Sequence, residues 1–421
     1  MKRYVAFFLV VLFLFTGCHK GSPTISELVE RYGEKISTAT VWLYGEDQGF
    51  CNSIYRFNEK YYSKYQIVIK TFSEEDINHE QFQKKLSGAL LSGDGPDLIL
   101  TQDPDLVDEY KLTQAGALRS WDEIIKEWNP NDYYYQVVDG ARAEDGKLYL
   151  LPLEFDFEVI ATTKDTVEKY GLTEAHFSDF ITAQQTFLSF WEQNLMSSQI
   201  GCTYGRHNYI FCGNNIMDYT TEETALLSDE NTLWIEQEKK LRQYEDQKTI
   251  TYESDMEQRL HSISVLTDEA YLFSFFESIL IRDLLTVSDY QEFGYELYDQ
   301  LYLYPMKDMQ GKTVVTTTVV AMIPAMCEGD EAIQAWINAY MFDTTLPSEC
   351  LEEAYHIVKS KNEWSVSSGY DTVLDRLMSE PVKTYFTDLN WYILDNNISR
   401  AIDGKSDWEE LERSINIYLS E

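Results

Sequence analysis

The chain has 421 residues, too many for one hydrophobic core, so two lobes or domains are expected. A composition that is 44% hydrophobic and 14% aromatic, with 30 tyrosines, excludes a disordered chain and leaves aromatics to spare for lining a cleft. With 71 acidic and 34 basic residues the net charge is −37, which repels phosphate backbones and anionic headgroups and argues against nucleic-acid and polybasic-type membrane partners.

In chain order, Lys2 and Arg3 form a positive start, and Tyr4 to Phe15 is an unbroken apolar run. That run is shorter than the roughly 20 residues a membrane span needs, and it suits a secretory signal. The tetrapeptide Phe15-Thr16-Gly17-Cys18 ends it and resembles the lipobox of bacterial lipoproteins, with Phe15 where an aliphatic residue is usual. The resemblance implies a signal peptide over 1–17, lipidation of Cys18, and a polar tether over 18–38 ending in a short helix. Five cysteines remain. Cys202 and Cys212 either close a short loop outside the cytoplasm or stay as thiols, and the odd count leaves at least one cysteine unpaired within the chain. No spacing of cysteines and histidines suits a metal, and no cofactor is implied.

The β-branched and aromatic stretch Thr40 to Tyr44 predicts a strand, Phe50 to Tyr65 a helix, and Gln66 to Phe72 a buried strand. Phe82, Leu86, Ala89 and Leu90 share one face of a further helix, which the turn Gly93-Asp94-Gly95-Pro96 stops before the short strand Asp97 to Leu100. Strand, helix, strand, helix, strand implies a parallel α/β sheet. Ser120-Trp121-Asp122-Glu123 reads as a capping box opening a helix, and Asp145-Gly146-Lys147 as a turn before Leu148 to Pro152. Helical patterns are expected to dominate from Val159 to about Tyr304. Thr313 to Ile323 then predicts a long strand, Glu331 to Phe342 a helix, and Ser406-Asp407-Trp408-Glu409 a second capping box. From that box a helix would carry Trp408, Leu411, Ile415 and Tyr418 in one apolar stripe.

Several segments, in order, resemble the extracellular solute-binding proteins of the maltose-binding-protein class. They include Phe57-Asn58, Gly93-Asp94-Gly95-Pro96-Asp97-Leu98-Ile99, and Asp145-Gly146-Lys147-Leu148-Tyr149 running into Leu151-Pro152. Lys164-Asp165 with Lys169-Tyr170-Gly171-Leu172 follows, then Ala335-Trp336-Ile337, Leu346-Pro347 and Ile402-Asp403-Gly404-Lys405. The resemblance implies a two-lobed, class II periplasmic-binding-protein-like α/β fold with a multi-segment hinge. Lobe 1 would comprise 39–153 and 313–346, and lobe 2 the helix-rich 154–312 and 347–421. It further implies a monomer, lipid-anchored on the outer face of the cell membrane, that captures a small ligand for the permease subunits of an ABC transporter. Three departures bear on the ligand: Thr162-Thr163 stand where an asparagine often precedes Lys164, Glu154 to Glu158 are more acidic than usual, and the glycine turn often found ahead of the returning strand is only Gly311-Lys312.

A sugar site needs aromatic platforms together with carboxylates or amides for hydroxyl groups, and in open α/β sheets it lies at the C-terminal ends of strands. Tyr44 and Glu46 after the first strand, Gln102 and Asp103 after the third, Glu154, Phe155 and Asp156 in the stretch Leu151 to Phe157 that the resemblance makes the first crossing into lobe 2, and Trp391 are therefore the expected ligand-binding residues. Asp103 also suits a cap for a helix beginning near Pro104. A mono- or oligosaccharide is the expected ligand. A ligand-sensing lipoprotein that reports to a membrane receptor, and a glycoside hydrolase with two flanking carboxylates, are the alternatives. No Gly-x-Ser-x-Gly, His-Glu-x-x-His or phosphate-cradling glycine loop is present, and no catalytic residue is assigned.

Overall fold

A computed structural model describes residues 36–45, 48–73, 77–101, 109–143, 145–192, 217–218, 223–245, 274–277, 301–346, 355–361, 378–386 and 397–420. Its first elements are β1 (Ser37–Tyr44), α1 (Gln48–Lys60), β2 (Tyr65–Phe72), α2 (His79–Ser92) and β3 (Leu98–Thr101). Next come α3 (Glu109–Gln114), β4 (Leu118–Arg119), α4 (Asp122–Ile125), α5 (Tyr135–Gly140), β5 (Leu150–Thr163), α6 (Lys164–Tyr170) and α7 (Phe180–Glu192). The chain continues through β6 (Met217–Asp218), β7 (Glu223–Thr224), α8 (Asp229–Glu245), β8 (Ser274–Glu277), β9 (Leu301–Pro305) and β10 (Thr313–Pro324). It closes with α9 (Asp330–Phe342), β11 (Tyr355–His356), β12 (Val382–Phe386) and α10 (Trp408–Ser420). The described residues fall into two compact units, one within Met1–Thr101 and Met322–Glu349, the other within Gln102–Ala321 and Cys350–Glu421.

In the first unit β1 runs parallel to β2 on one side and to β3 on the other, with Tyr44 level with Phe72 and Thr101. The predicted strand–helix–strand order therefore makes the predicted parallel sheet. Alternation along β1 turns Trp42 and Tyr44 toward α2, where Phe82 lies 6.5 and 4.8 Å from their rings. On α1 and α9, Phe50 packs 5.2 Å from Tyr340, itself 5.4 Å from Trp336. The helix α1 stops at Lys60, five residues short of the expected Tyr65. The cause is Asn58, whose side chain both accepts from Ile67 N and donates to Ile67 O at 2.8 Å. It clasps β2 to the helix it follows, so the chain must reverse in between.

Gly93 ends α2 at φ 77°, its N–H reaching the carbonyls of Ala89 and Leu90. Asp97 follows that turn as a three-way fastener. One carboxylate oxygen accepts Thr40 N at 2.7 Å, while the other accepts Glu328 N at 2.8 Å and Gly329 N at 2.7 Å. Lys60 and Thr345 bond to Asp343 beyond α9, and the Lys60 ammonium holds the Asp343 carboxyl down at about 2.

The second unit is organised on β5. This strand reaches Thr163, so Val159 to Thr163 are extended rather than helical. They lie between β8 and β9, antiparallel to both, with Val159 and Ile160 buried. A strand flanked on both sides reads as apolar on both faces and loses the alternation that would distinguish it from a helix. Helices α6, α7 and α8 follow as expected, whereas β6 to β9 are strands within the stretch expected to be mainly helical. Phe177, Phe180, Phe187 and Trp234 share one buried cluster with Ile160 and with Leu411 and Ile415 of α10. β10 pairs in parallel with β12 through Thr313–Thr317. Gly140 of α5 is held so close to β12 that a Cβ there would lie 2.8 Å from Val382 O.

Both capping boxes take a different form. Ser120 Oγ accepts Asp122 N at 3.1 Å, and α4 is a single turn without an N-cap side-chain bond. At α10 the cap is Asp407, which accepts Glu409 N at 2.8 Å and Glu410 N at 3.3 Å. A carboxylate one residue nearer the helix displaces the serine. No helix among the described residues is long and apolar enough to cross a membrane.

Candidate ligand-binding site

The ends of β1 and β3 lie side by side, so the segments leaving Tyr44 and Thr101 start from neighbouring points at the C-terminal edge of the first unit's sheet. Gly45 takes φ 109°, which turns the chain out of β1 while its N–H bonds Phe72 O at 2.9 Å. Glu46, Gln102 and Asp103, the residues expected to use this edge, lie outside the described residues, as do Trp391, Cys18, Cys202, Cys212 and Cys350. Tyr44 is described, and its ring is core: 1% exposed, 4.8 Å from Phe82, with its hydroxyl donating to Ile77 O at 3.3 Å. The position expected of a platform is filled by packing, because an aromatic at the end of a central strand is covered by the helix crossing below it.

Along β5, Glu154 and Asp156 alternate with Phe155 and Phe157. Phe155 is fully buried, stacked 5.5 Å from Tyr355 and edge-on 5.2 Å from Tyr134. It too is core rather than a platform. Glu154 is buried opposite His356 of β11 in antiparallel register, and its carbonyl accepts from Thr317 Oγ1 at 2.6 Å. Asp156 is only half-buried; its side chain accepts Phe157 N at 2.8 Å and its carbonyl accepts from Thr316 Oγ1 at 3.3 Å. Of these three neighbouring residues of β5 only Asp156 keeps partial access to solvent.

The sequence reading missed His356. Burial pushes its imidazole down to about 3, and the Lys361 charge acts in the same direction. A two-residue strand carries no periodicity, so no local signal marks it. Among the described residues no group of three or more His, Cys, Asp or Glu side chains is arranged to hold a metal ion. A surface groove on α10, lined by Leu227, Glu409, Glu412, Arg413, Asn416 and Ile417, contains none of the expected ligand residues.

Residues 59–187 match the sequence profile of the bacterial extracellular solute-binding protein family. Among solved structures, an extracellular solute-binding protein of family 1 from Alicyclobacillus acidocaldarius shares 13% identity. The match covers 92% of this chain and 100% of that one, with a TM-score of 0.58. The chain has the fold of the extracellular solute-binding proteins. Two further structures agree with it at 12% identity and 91% coverage of this chain. The sugar-binding protein MalE from Xanthomonas citri is covered over 96% of its length at TM-score 0.55. The cyclic alpha-maltosyl-1,6-maltose binding protein from Arthrobacter globiformis is covered over 99% at TM-score 0.54. No curated protein sequence matches the chain. The resemblance carried by the Gly93 to Ile99 turn and the Asp145 to Pro152 segment is therefore met by a family match over the same stretch and by a shared two-lobed α/β fold.

Proposed function

We propose that this protein is the extracytoplasmic, lipid-anchored binding component of an ABC importer, taking a mono- or oligosaccharide between two lobes and delivering it to the permease. The observation that carries this reading is the solute-binding fold spanning over nine-tenths of the chain, joined to the family match over 59–187. The sugar-binding proteins among its structural relatives support a carbohydrate, as does an aromatic-rich composition. The lobes are 39–153 with 313–346 and 154–312 with 347–421, and the chain acts as a monomer. Asp156, together with Glu46, Gln102, Asp103 and Trp391, supplies ligand contacts, while the buried Glu154 and Phe155 hold β5 in place. Cys18 carries the lipid that keeps the protein at the cell membrane. Ligand bridging both lobes favours the closed state, which the permease reads.

A thermal-shift screen of residues 22–421 against mono- and oligosaccharides tests the reading. A ligand at 100 times its Kd should stabilise the fold by about 2.7 kcal/mol and be recovered unchanged. Cleaved sugar in the same sample would point to a hydrolase, and no shift with any sugar would remove carbohydrate as the ligand.

A further inference from the structure

His356 sits where the chain is fastened from two sides. On one side β11 pairs with β5, Tyr355 opposite Phe155 and His356 opposite Glu154, and Ile357 N donates to Leu153 O at 3.0 Å. On the other side Val358 bridges Tyr133, Tyr134 N donates to Ile357 O at 2.9 Å, and Lys359 N donates to Asp132 O at 3.0 Å. Residues 355–361 are thus a clasp between β5 and the segment that opens α5. Tyr355, His356, Ile357 and Val358 are all buried.

Within the clasp the imidazole does one defined job. Its Nδ1 accepts the N–H of Val358 at 3.0 Å, which assigns the ring proton to Nε2. An imidazolium carries a proton on both nitrogens, so taking up a proton from solvent leaves the Val358 N–H facing a second donor. The charged ring and the closed clasp are therefore incompatible at Nδ1, whatever the rest of the site contributes.

We propose that residues 355–361 form an acid-released clasp on β5, with His356 as its trigger. The titratable groups on the elements packed against the clasp, among the described residues, are Glu154 opposite His356 and Asp156 further along β5, Asp132, Tyr133 and Tyr134 ahead of α5, and Lys359 and Lys361 on the clasp itself. The adjoining β10 presents Thr316 and Thr317, which do not titrate in this range. Burial opposes the imidazolium, and the Lys361 charge opposes it in the same direction. Burial holds the folded value at about 3, below the ordinary 6.5 that the opened clasp restores. The clasp's closing free energy is then whole above pH 6.5 and is lost as pH falls from 6.5 toward 3. Its consequence, a crossing strand that loosens and releases ligand in acid, rests on the solute-binding reading given above.

Backbone hydrogen–deuterium exchange on the ligand-free chain between pH 7 and pH 4 tests the clasp directly, with each rate corrected for the intrinsic effect of pH. Protection of the Ile357, Val358 and Lys359 amides should fall by about tenfold per pH unit below pH 6.5, while the β1–β2 amides hold theirs. In His356→Asn the side-chain oxygen can accept the same N–H but does not titrate, so the fall should vanish. Flat protection in the wild type, loss of equal size in His356→Asn, or loss spread evenly over β1 and β2 would each overturn the proposal. If the variant does not fold, the wild-type series with its β1–β2 reference decides alone. No ligand is present, so a failure here leaves the solute-binding reading standing, and a failed sugar screen leaves the clasp standing.

Discussion

At the scale of single residues, the side chains that matter most to the first unit are polar ones placed where the backbone runs out of partners. Asp97 accepts N–H groups from Thr40, Glu328 and Gly329, segments far apart in the chain. A carboxylate suits all three because it offers acceptors only and its bonds are charge-assisted. Asp97→Ala would leave those three donors to find water or go unpaired, and a loss of about 2–4 kcal/mol in chemical denaturation is expected. A change below about 0.5 kcal/mol would show that water replaces the carboxylate at no cost. Asn58 does the same work between α1 and β2 with both halves of its amide. Neither role can be read from the residue itself. Asp97 stands out in the sequence only as part of a turn motif, and what it fastens is decided by the return of the chain near Gly329. A side chain at Gly329 would lie 2.5 Å from the Ala39 Cβ, so this meeting is also a close approach of two backbones.

At the scale of elements, the turn after α2 shows local sequence and structure in agreement. Gly93 adopts φ 77°, a conformation that costs other residues energy, and its N–H closes the last turn of the helix. Nothing lies within 4 Å of a Cβ built there, so the conformation rather than space sets the penalty. Gly93→Ala should therefore destabilise by about 1 kcal/mol, read as a lower denaturation midpoint with an unchanged slope. A changed slope would mean that the α2–β3 connection had been rearranged. β5 shows the opposite relation. Its 14 residues run past Val159 to Thr163 because β8 and β9 flank them, and without those partners in view the apolar stretch resembles the helices that follow. The expected site divides along the same line. Tyr44 and Phe155 are legible as aromatics in the right segments, but α2 packed against one and Tyr355 beside the other make them core.

At the scale of the whole molecule, the net charge of −37 sets the electrostatic background. Self-repulsion among 71 acidic residues destabilises any compact state and is screened by salt. The thermal midpoint should rise between 10 mM and about 300 mM NaCl, where the screening length shrinks from about 30 Å to below 10 Å. A midpoint that falls with salt would mean that local ion pairs such as Lys60–Asp343 outweigh the repulsion.

The sequence by itself determined the alternating α/β plan of the first unit, the long strand β10, the helices α9 and α10, and the resemblance that the family match and the fold both support. These follow from signals that act within a few residues: periodicity, β-branching, and glycine where φ must be positive. Only the tertiary structure decided that Val159–Thr163 is a strand, that Tyr44 and Phe155 are core, and that His356 faces Glu154 across a two-residue pairing. Those outcomes depend on contacts between segments far apart in the chain, and burial, which they create, is what sets the charge of an imidazole and the use of an aromatic ring.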